Sequence, residues 1–258
     1  MIVLLAELFP SVQAWLGLAA AVFLRIGAAF LALPGFGEAF IPLRVRLGAA
    51  IAFTAILVPA LGPDLLPLPA DGLPPTRFFL TEATIGLMIG VSLRLVIHGL
   101  QIAGVMAAQA TSLSQIMGGA LPDAQPAMGS LLMLSGLALV VMSGLHVHLA
   151  RTFLHSYDIL PAGIFPFHGD TGAWIVGQVA ATFSLAFSLA APFLIASLLY
   201  NVALGVINKA MPQLMVAFVG APAITFGGLL LLLVTTPFIL PLWFSLFEAR
   251  LANPFGMP

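Results

Sequence analysis

The sequence contains no cysteine and very little charge. Without cysteine the chain can form neither a disulfide framework nor a thiolate metal site, and it has no thiol nucleophile. Charged residues make up 7% of its 258 residues, whereas soluble domains carry about 25%. Because so few charges cannot cover a globule of this size with a hydrated surface, lipid or other apolar subunits must cover it. The net charge of -1 gives no reason to expect nucleic acid as a partner, since nucleic acid needs a basic face.

Motifs for catalysis and metal binding are absent as well. There is no His-Glu-x-x-His, no Gly-x-Ser-x-Gly and no phosphate-binding loop. His148 and His155 could share a helix face, but no carboxylate joins them at the spacing of a metal site. Hydrogen-bonded histidines near a helix end are the simpler interpretation. We therefore expect no enzyme, metal or other cofactor, and an intramembrane enzyme of unfamiliar chemistry stays as the alternative.

Long apolar runs dominate the rest of the chain, which is 61% hydrophobic. A helix needs about 20 mostly apolar residues to cross the hydrocarbon core. Runs such as GGLLLLLV do not alternate as the strands of a barrel would. The sequence thus predicts an all-α, polytopic membrane protein of apolar helices and helical hairpins. The candidate spans are 12–33, 45–62, 78–105, 128–150, 173–200 and 214–246.

Segments rich in proline or in small polar residues separate these spans. Residues 62–76 and 157–172 are predicted to be surface connections. Residues 107–127, AAQATSLSQIMGGALPDAQPA, form a long polar segment, and loops of this length are usually functional or disordered. No stretch between the spans is long and charged enough to form a soluble domain. We therefore expect one helical domain over residues 1–258.

A polar break separates the last two apolar spans. Pro212 removes a backbone donor and disfavours helical geometry at Met211, so the chain should bend or break there. Lys209 then suits the carbonyl end of the preceding helix. Transporters place such breaks at binding sites, and plain hairpins use them as turns. The last span itself carries Pro222, Pro237 and Pro241, so we expect it to be kinked or divided into a hairpin.

Polar and small residues recur every four positions in the third span, and positions four apart form a stripe on one helix face. A charged side chain at the bilayer centre costs about 2.5–3.5 kcal/mol, so this face should meet protein or water. A packing seam is the favoured interpretation, since Gly-x-x-x-Gly lets helices approach closely, and a pore or relay is the alternative. We expect Arg25 to make a buried polar contact with another helix or subunit. The stripe consists of Glu82, Gly86, Gly90, Arg94 and His98.

The polar break resembles the signature of a known family. NVALGVINKAMPQL at 201–214, followed by FVGAP at 218–222, is similar to the Asn-x-Ala-Leu-Gly-x-x-Asn-Arg/Lys-x-x-Pro-Gln-Leu motif of the FliR family. That family is the R-type membrane subunit of the flagellar type III secretion export gate, and its injectisome counterparts are similar. The segments GFGEAFIPLRVRLGAAIA at 35–52 and SGLHVHLARTFLHSYDILPAG at 143–163 also resemble the family. Lys209 stands where arginine is frequent, and Met215 stands where a small polar residue is frequent.

The resemblance implies a component of the flagellar type III protein export apparatus that is needed for flagellum assembly. It implies that the chain forms part of the export gate channel with P-type and Q-type subunits, near B-type switch and A-type export subunits. Unfolded export substrates would pass through this channel, in the bacterial inner membrane at the flagellar basal body. The break would serve as an assembly joint formed by Asn201, Asn208, Lys209, Pro212 and Gln213.

The resemblance further implies that residues 107–121 project into the channel and plug it. The residues of this expected plug are Gln109, Ser112, Ser114, Gln115, Met117, Gly118 and Gly119. A surface hairpin with slack is the simpler alternative for the segment. For the whole chain the alternative is a small-molecule or ion transporter subunit. That alternative predicts two related halves with paired broken helices, and only one such break, at Pro212, is visible in the sequence.

Overall fold

The computed structural model describes residues 2–62, 76–111, 127–165, 171–211 and 216–256, and within them the chain forms helices and no strands. This confirms the all-α class. The helices are α1 (Ile2–Ala32), α2 (Leu43–Leu61), α3 (Thr76–Thr111), α4 (Ala127–Met142), α5 (Leu145–Ile159), α6 (Thr171–Ala210) and α7 (Val216–Ala252).

Five of the helices are long and apolar enough to cross a membrane, as expected for a membrane protein. The remaining candidate span, 128–150, is broken, because α4 ends at Met142 and α5 begins at Leu145 with a bend of 76° between them. Gly144 lies in this break with a φ of 81°, a left-handed conformation that glycine adopts at little cost. The five long spans are Val12–Ala32, Leu43–Leu61, Phe78–Thr111, Thr171–Ala210 and Pro222–Ala252.

In the last span, prolines did not predict a break in the helix. The expectation was a kink or a division into a hairpin, and the division is wrong, because Pro222, Pro237 and Pro241 all lie inside the single 37-residue helix α7. Each proline removes one backbone hydrogen bond, but leaving the helix would expose many more unpaired backbone groups to an apolar medium. The break before this helix is as predicted: α6 ends at Ala210, two residues before Pro212, which itself lies outside the described residues.

Two predicted connections begin later than expected. α3 continues to Thr111, so the first five residues of the 107–127 segment are helical. α5 continues to Ile159, which shortens the 157–172 connection at its start. In α3 the hydroxyl of Thr111 donates back to the carbonyls of Ala107 and Ala108, which supports the last turn.

The chain packs as two compact units, which comprise Met1–Arg94, Val141–Gln178 and Glu248–Pro258 in the first, and Leu95–Val140 and Val179–Phe247 in the second. In the first unit α1 packs against α2, and its buried Phe30 stacks on Phe36 with ring centroids 4.6 Å apart. In the second unit the buried Trp243 of α7 donates its indole N–H to the carbonyl of Val96 on α3 at 2.9 Å.

Candidate functional site

A buried ion pair organises the first unit. Arg25 of α1 donates from Nε to Oε2 of Glu82 at 2.8 Å and from Nη2 to Oε1 at 3.2 Å. Both side chains are 0% exposed. This two-point geometry is the strongest that an arginine and a carboxylate can adopt. Arg25 thus makes the buried polar contact expected of it, and its partner is another helix of the same chain.

Further hydrogen bonds and a ring contact surround this pair. Arg25 donates to Oγ of Ser156 at 3.0 Å and to the carbonyl of Leu160 at 3.1 Å. Its guanidinium lies 3.6 Å from the ring centroid of Tyr157, whose hydroxyl donates to Glu82 at 3.3 Å. The backbone N–H of Gly163 donates to the same carboxylate at 3.1 Å. We call these residues the Glu82 cluster, and it joins α1, α3, α5 and the turn that follows α5.

Two glycines bring α1 and α3 close enough for this pair to form. A Cβ at Gly86 would overlap the carbonyl oxygen of Arg25, and a Cβ at Gly90 would overlap that of Ala29. The backbones therefore touch directly at both positions, as Gly-x-x-x-Gly spacing permits. Glu82 and the two glycines face protein, and in this unit their arrangement is that of a packing seam.

The other two members of the stripe have different surroundings. Arg94 donates from Nη1 to the carbonyl of Ala32 at 3.2 Å, where α1 ends, and its Nη2 lies 3.9 Å from Glu38. Arg94 therefore supports unpaired carbonyls at a helix end. His98 belongs to the second unit, is half-buried, and contacts Oε1 of Gln101 at 3.0 Å through Nδ1.

The histidines of the described chain do not form a metal site. His155 lies 3.1 Å from Asp158 on an exposed face of α5, but no group of three histidine or carboxylate side chains in the described ranges is close enough to hold an ion.

The last turns of α6 carry the described part of the expected assembly joint. Asn201, Asn208 and Lys209 are all exposed there. Between residues 201 and 211 only Leu204 is even half-buried, so this end of the helix has almost no cover from its own chain. The apolar side chains at this end include Val206, which is 64% exposed, and Met211, which is 57% exposed. Pro212 and Gln213 lie outside the described residues.

The expected plug lies almost wholly outside the described residues. Of its members only Gln109 is described, and it is an exposed residue in the last turns of α3 rather than a loop residue. The others, Ser112, Ser114, Gln115, Met117, Gly118 and Gly119, fall in the range 112–126, which the structure leaves undescribed.

The end of α3, from which this segment departs, is held by two other helices. Ser197 of α6 donates its hydroxyl to the carbonyl of Ala110 at 2.5 Å, and Asn201 donates to Ser197 at 3.2 Å. Gly228 of α7 lies against Thr111, since a Cβ at that glycine would come within 2.6 Å of the Thr111 methyl group. Sequence reasoning selected Asn201 but missed Ser197 and Gly228.

Ser156 and Tyr157 in the Glu82 cluster were missed in the same way. Their one signal in the sequence is position: Thr152 and Ser156 are four apart on α5, so they share a face with buried Leu149 and Phe153. Polar residues on such an apolar face need partners, but the pattern does not say which helix supplies them.

Known proteins resemble this chain over most of its length. The model for bacterial export proteins, family 1, matches residues 16–249. The flagellar biosynthetic protein FliR of Caulobacter vibrioides is 34% identical over 227 residues, which cover 87% of this chain and 90% of that protein. Proteins of the same name from Escherichia coli and Bacillus subtilis are 25% and 27% identical, covering 91% and 78% of this chain and 90% and 79% of their own lengths.

Proposed function

This chain belongs to the bacterial export proteins, family 1, and we propose that it forms part of the channel of an export gate together with P-type and Q-type subunits. The family and the relatives make it a component of the flagellar type III protein export apparatus. The relatives named above all carry a flagellar biosynthetic name, and nothing in the comparisons favours a transporter for small molecules or ions.

The uncovered end of α6 carries the proposal of a multi-subunit gate. Residues 201–211 include exposed apolar side chains such as Val206 and Met211, and the same turns hold Asn201, Asn208 and Lys209. A surface of this mixture suits neither water nor lipid, because its apolar area is large and the Asn208 amide and Lys209 ammonium group need polar partners. Helical subunits with matching polar groups would satisfy both requirements. The proposed assembly joint is therefore this end of α6 with Pro212 and Gln213.

The long helices support a membrane location for this gate. Only 28% of the most apolar stretch of α6 and 17% of that of α7 are buried within the chain. We place the protein in the bacterial inner membrane at the flagellar basal body, with other subunits covering much of these surfaces. Because four helices have residues in both compact units, we treat residues 1–258 as one helical domain.

The role proposed within the gate is structural. The best-defined polar cluster, around Glu82, has a fully buried ion pair, and its hydrogen bonds hold helices of the first unit together. Unfolded export substrates would cross the channel without chemical change, and B-type switch and A-type export subunits would complete the apparatus. The segment after α3 would act as the plug of the channel.

Affinity purification of the tagged chain in mild detergent tests this proposal. We expect P-type and Q-type subunits to co-purify, in amounts that identify a defined complex by native mass spectrometry. Lys209→Arg, which keeps the charge, should give the same complex and serves as the control for joint variants. A stable solitary chain that takes up a solute in vesicles would overturn the proposal and support a transporter.

A further inference from the structure

The backbone of α3 is bonded to α6 in the last turn that the structure describes. There the Ala110 carbonyl accepts the hydroxyl of Ser197 at 2.5 Å. Hydrogen bonds between helices help to hold them together in an apolar medium. The bond therefore fixes where this turn of α3 meets α6.

Ser197 is placed to connect two groups. It is 7% exposed, and its single hydroxyl proton is used on Ala110. Its oxygen still accepts, and the side-chain amide of Asn201, one turn further along α6, donates to it at 3.2 Å. The amide fixes the position of the Ser197 hydroxyl, and linked hydrogen bonds strengthen one another.

Packing from α7 fixes the same end of α3 from another direction. Gly228 leaves no room for a side chain, because an added Cβ would lie 2.6 Å from Cγ2 and 2.8 Å from Cβ of Thr111. Thr111 is β-branched and restricted in χ1, so it cannot easily move aside. Its hydroxyl is already bonded to the carbonyls of Ala107 and Ala108.

We propose that Asn201 and Ser197 form a latch that holds the last described turn of α3 on α6. The latch consists of the Asn201 amide, the Ser197 hydroxyl and the Ala110 carbonyl. Asn201 thereby gains a role inside its own chain, distinct from contact with a neighbouring subunit. Its exposed side chain links the uncovered end of α6 to the end of α3, so a subunit that covers α6 would shield the latch from water.

The latch rests on geometry within the second unit, and only its consequence for export rests on the proposed gate. Hydrogen–deuterium exchange of the amides of residues 107–111 in the purified assembly tests the latch itself. Ser197→Ala should accelerate this exchange on the order of 3- to 30-fold, the range for one hydrogen bond in a membrane protein. Ser188→Ala is the matched control, since Ser188 is exposed and donates only to Ser184 of its own helix, and it should change nothing.

Coupling between the two side chains gives a second, independent result. Asn201→Ala should accelerate the same exchange less than Ser197→Ala, and the double variant should exchange no faster than Ser197→Ala alone, because both changes break one chain of bonds. If Ser197→Ala fails to assemble, the Asn201→Ala result decides in its place. Unchanged exchange in an assembled variant, or fully additive effects, would overturn the latch.

A measurement of small-ion leakage through the assembled gate distinguishes failure of the latch proposal from failure of the gate proposal. Faster exchange together with increased leakage supports both. Faster exchange with normal leakage keeps the latch and removes the plug role of the segment after α3. If no P-type or Q-type subunit co-purifies, the exchange comparison on the detergent-purified chain still decides whether Ser197 holds α3.

Discussion

Arg25 and Glu82 show how the burial of charge inside an apolar protein is compensated. Transfer of either ion alone from water to an apolar interior is very costly. Here four hydrogen bonds from the guanidinium, a stacked Tyr157 ring and a backbone N–H from Gly163 replace the lost water. The pair therefore contributes mainly by fixing which helices meet and at which turn, and removal of one partner leaves the other ion uncompensated.

The first prediction concerns loss of one ion of this pair. Glu82→Gln keeps the shape but leaves a buried, unpaired guanidinium, and should destabilise the protein by about 3–5 kcal/mol. Thermal unfolding of the purified protein in mild detergent measures the effect. Asp158→Asn is the matched control, because the His155–Asp158 pair is exposed, and its loss should cost less than about 1 kcal/mol. Equal effects of the two variants would contradict the role given to the Glu82 cluster.

A second residue-scale prediction concerns the close crossing of α1 and α3. Gly86→Ala should disrupt this crossing, because its Cβ would overlap the Arg25 carbonyl, which is backbone and cannot swing away. We expect a fall in the unfolding temperature and in the yield of folded protein. Gly227→Ala in α7 has open space within 4 Å and should leave both unchanged. Normal stability of Gly86→Ala would show that the two helices can separate without cost.

At the scale of elements, apolar runs predicted where helices exist better than where they end. Composition and run length were sufficient for the five long spans. The break at Gly144 was missed because the flanking residues are as apolar as those of a continuous span, and only the backbone conformation reveals the turn. A division of α7 into a hairpin does not occur, because three prolines are tolerated within one helix.

Site residues could be predicted where their role follows from a pattern within one helix, and not where it depends on contacts between distant parts of the chain. The i, i+4 pattern identified Glu82, Gly86 and Gly90, since periodicity along one helix is visible in the sequence. Their partners Ser156 and Tyr157, and Ser197 at the end of α3, depend on contacts between residues far apart in the chain. No pattern within a single helix encodes such pairings.

The third prediction concerns the end of α6 as an element of assembly. Lys209→Leu removes an exposed charge from the proposed joint and should reduce co-purification of P-type and Q-type subunits and abolish motility. Gln213→Ala should act in the same direction, through the other side of the break. Lys209→Arg should retain both properties. Normal assembly and motility in Lys209→Leu would remove this end of α6 from the interface.

At the scale of the whole molecule, most of the apolar surface of α6 and α7 has no cover from the chain itself. Monomeric proteins in water rarely leave such area open, and a lipid-facing surface would exclude the polar groups found near the end of α6. An assembly of helical subunits within a membrane accounts for both features. Residues whose burial is low in this chain would then be interior residues of the gate.

The fourth prediction concerns the gate as a barrier. Removal of residues 112–119 should leave assembly intact and increase leakage of small ions, since the proposed plug would be too short to close the channel. Conductance of the purified complex in planar bilayers measures the leak. Assembly with leakage no greater than that of the unmodified complex would identify the segment as an ordinary surface loop.

The absence of cysteine allows the central claim to be tested by cross-linking at a single position. Val206→Cys places one thiol on the exposed end of α6, where the account predicts a neighbouring subunit rather than lipid. In membranes that contain the assembled apparatus, a short thiol-to-amine cross-linker should join this residue to a P-type or Q-type subunit, identified by mass spectrometry, and a lipid-phase thiol reagent should label it poorly. Strong labelling from the lipid phase without any cross-linked subunit would contradict the account.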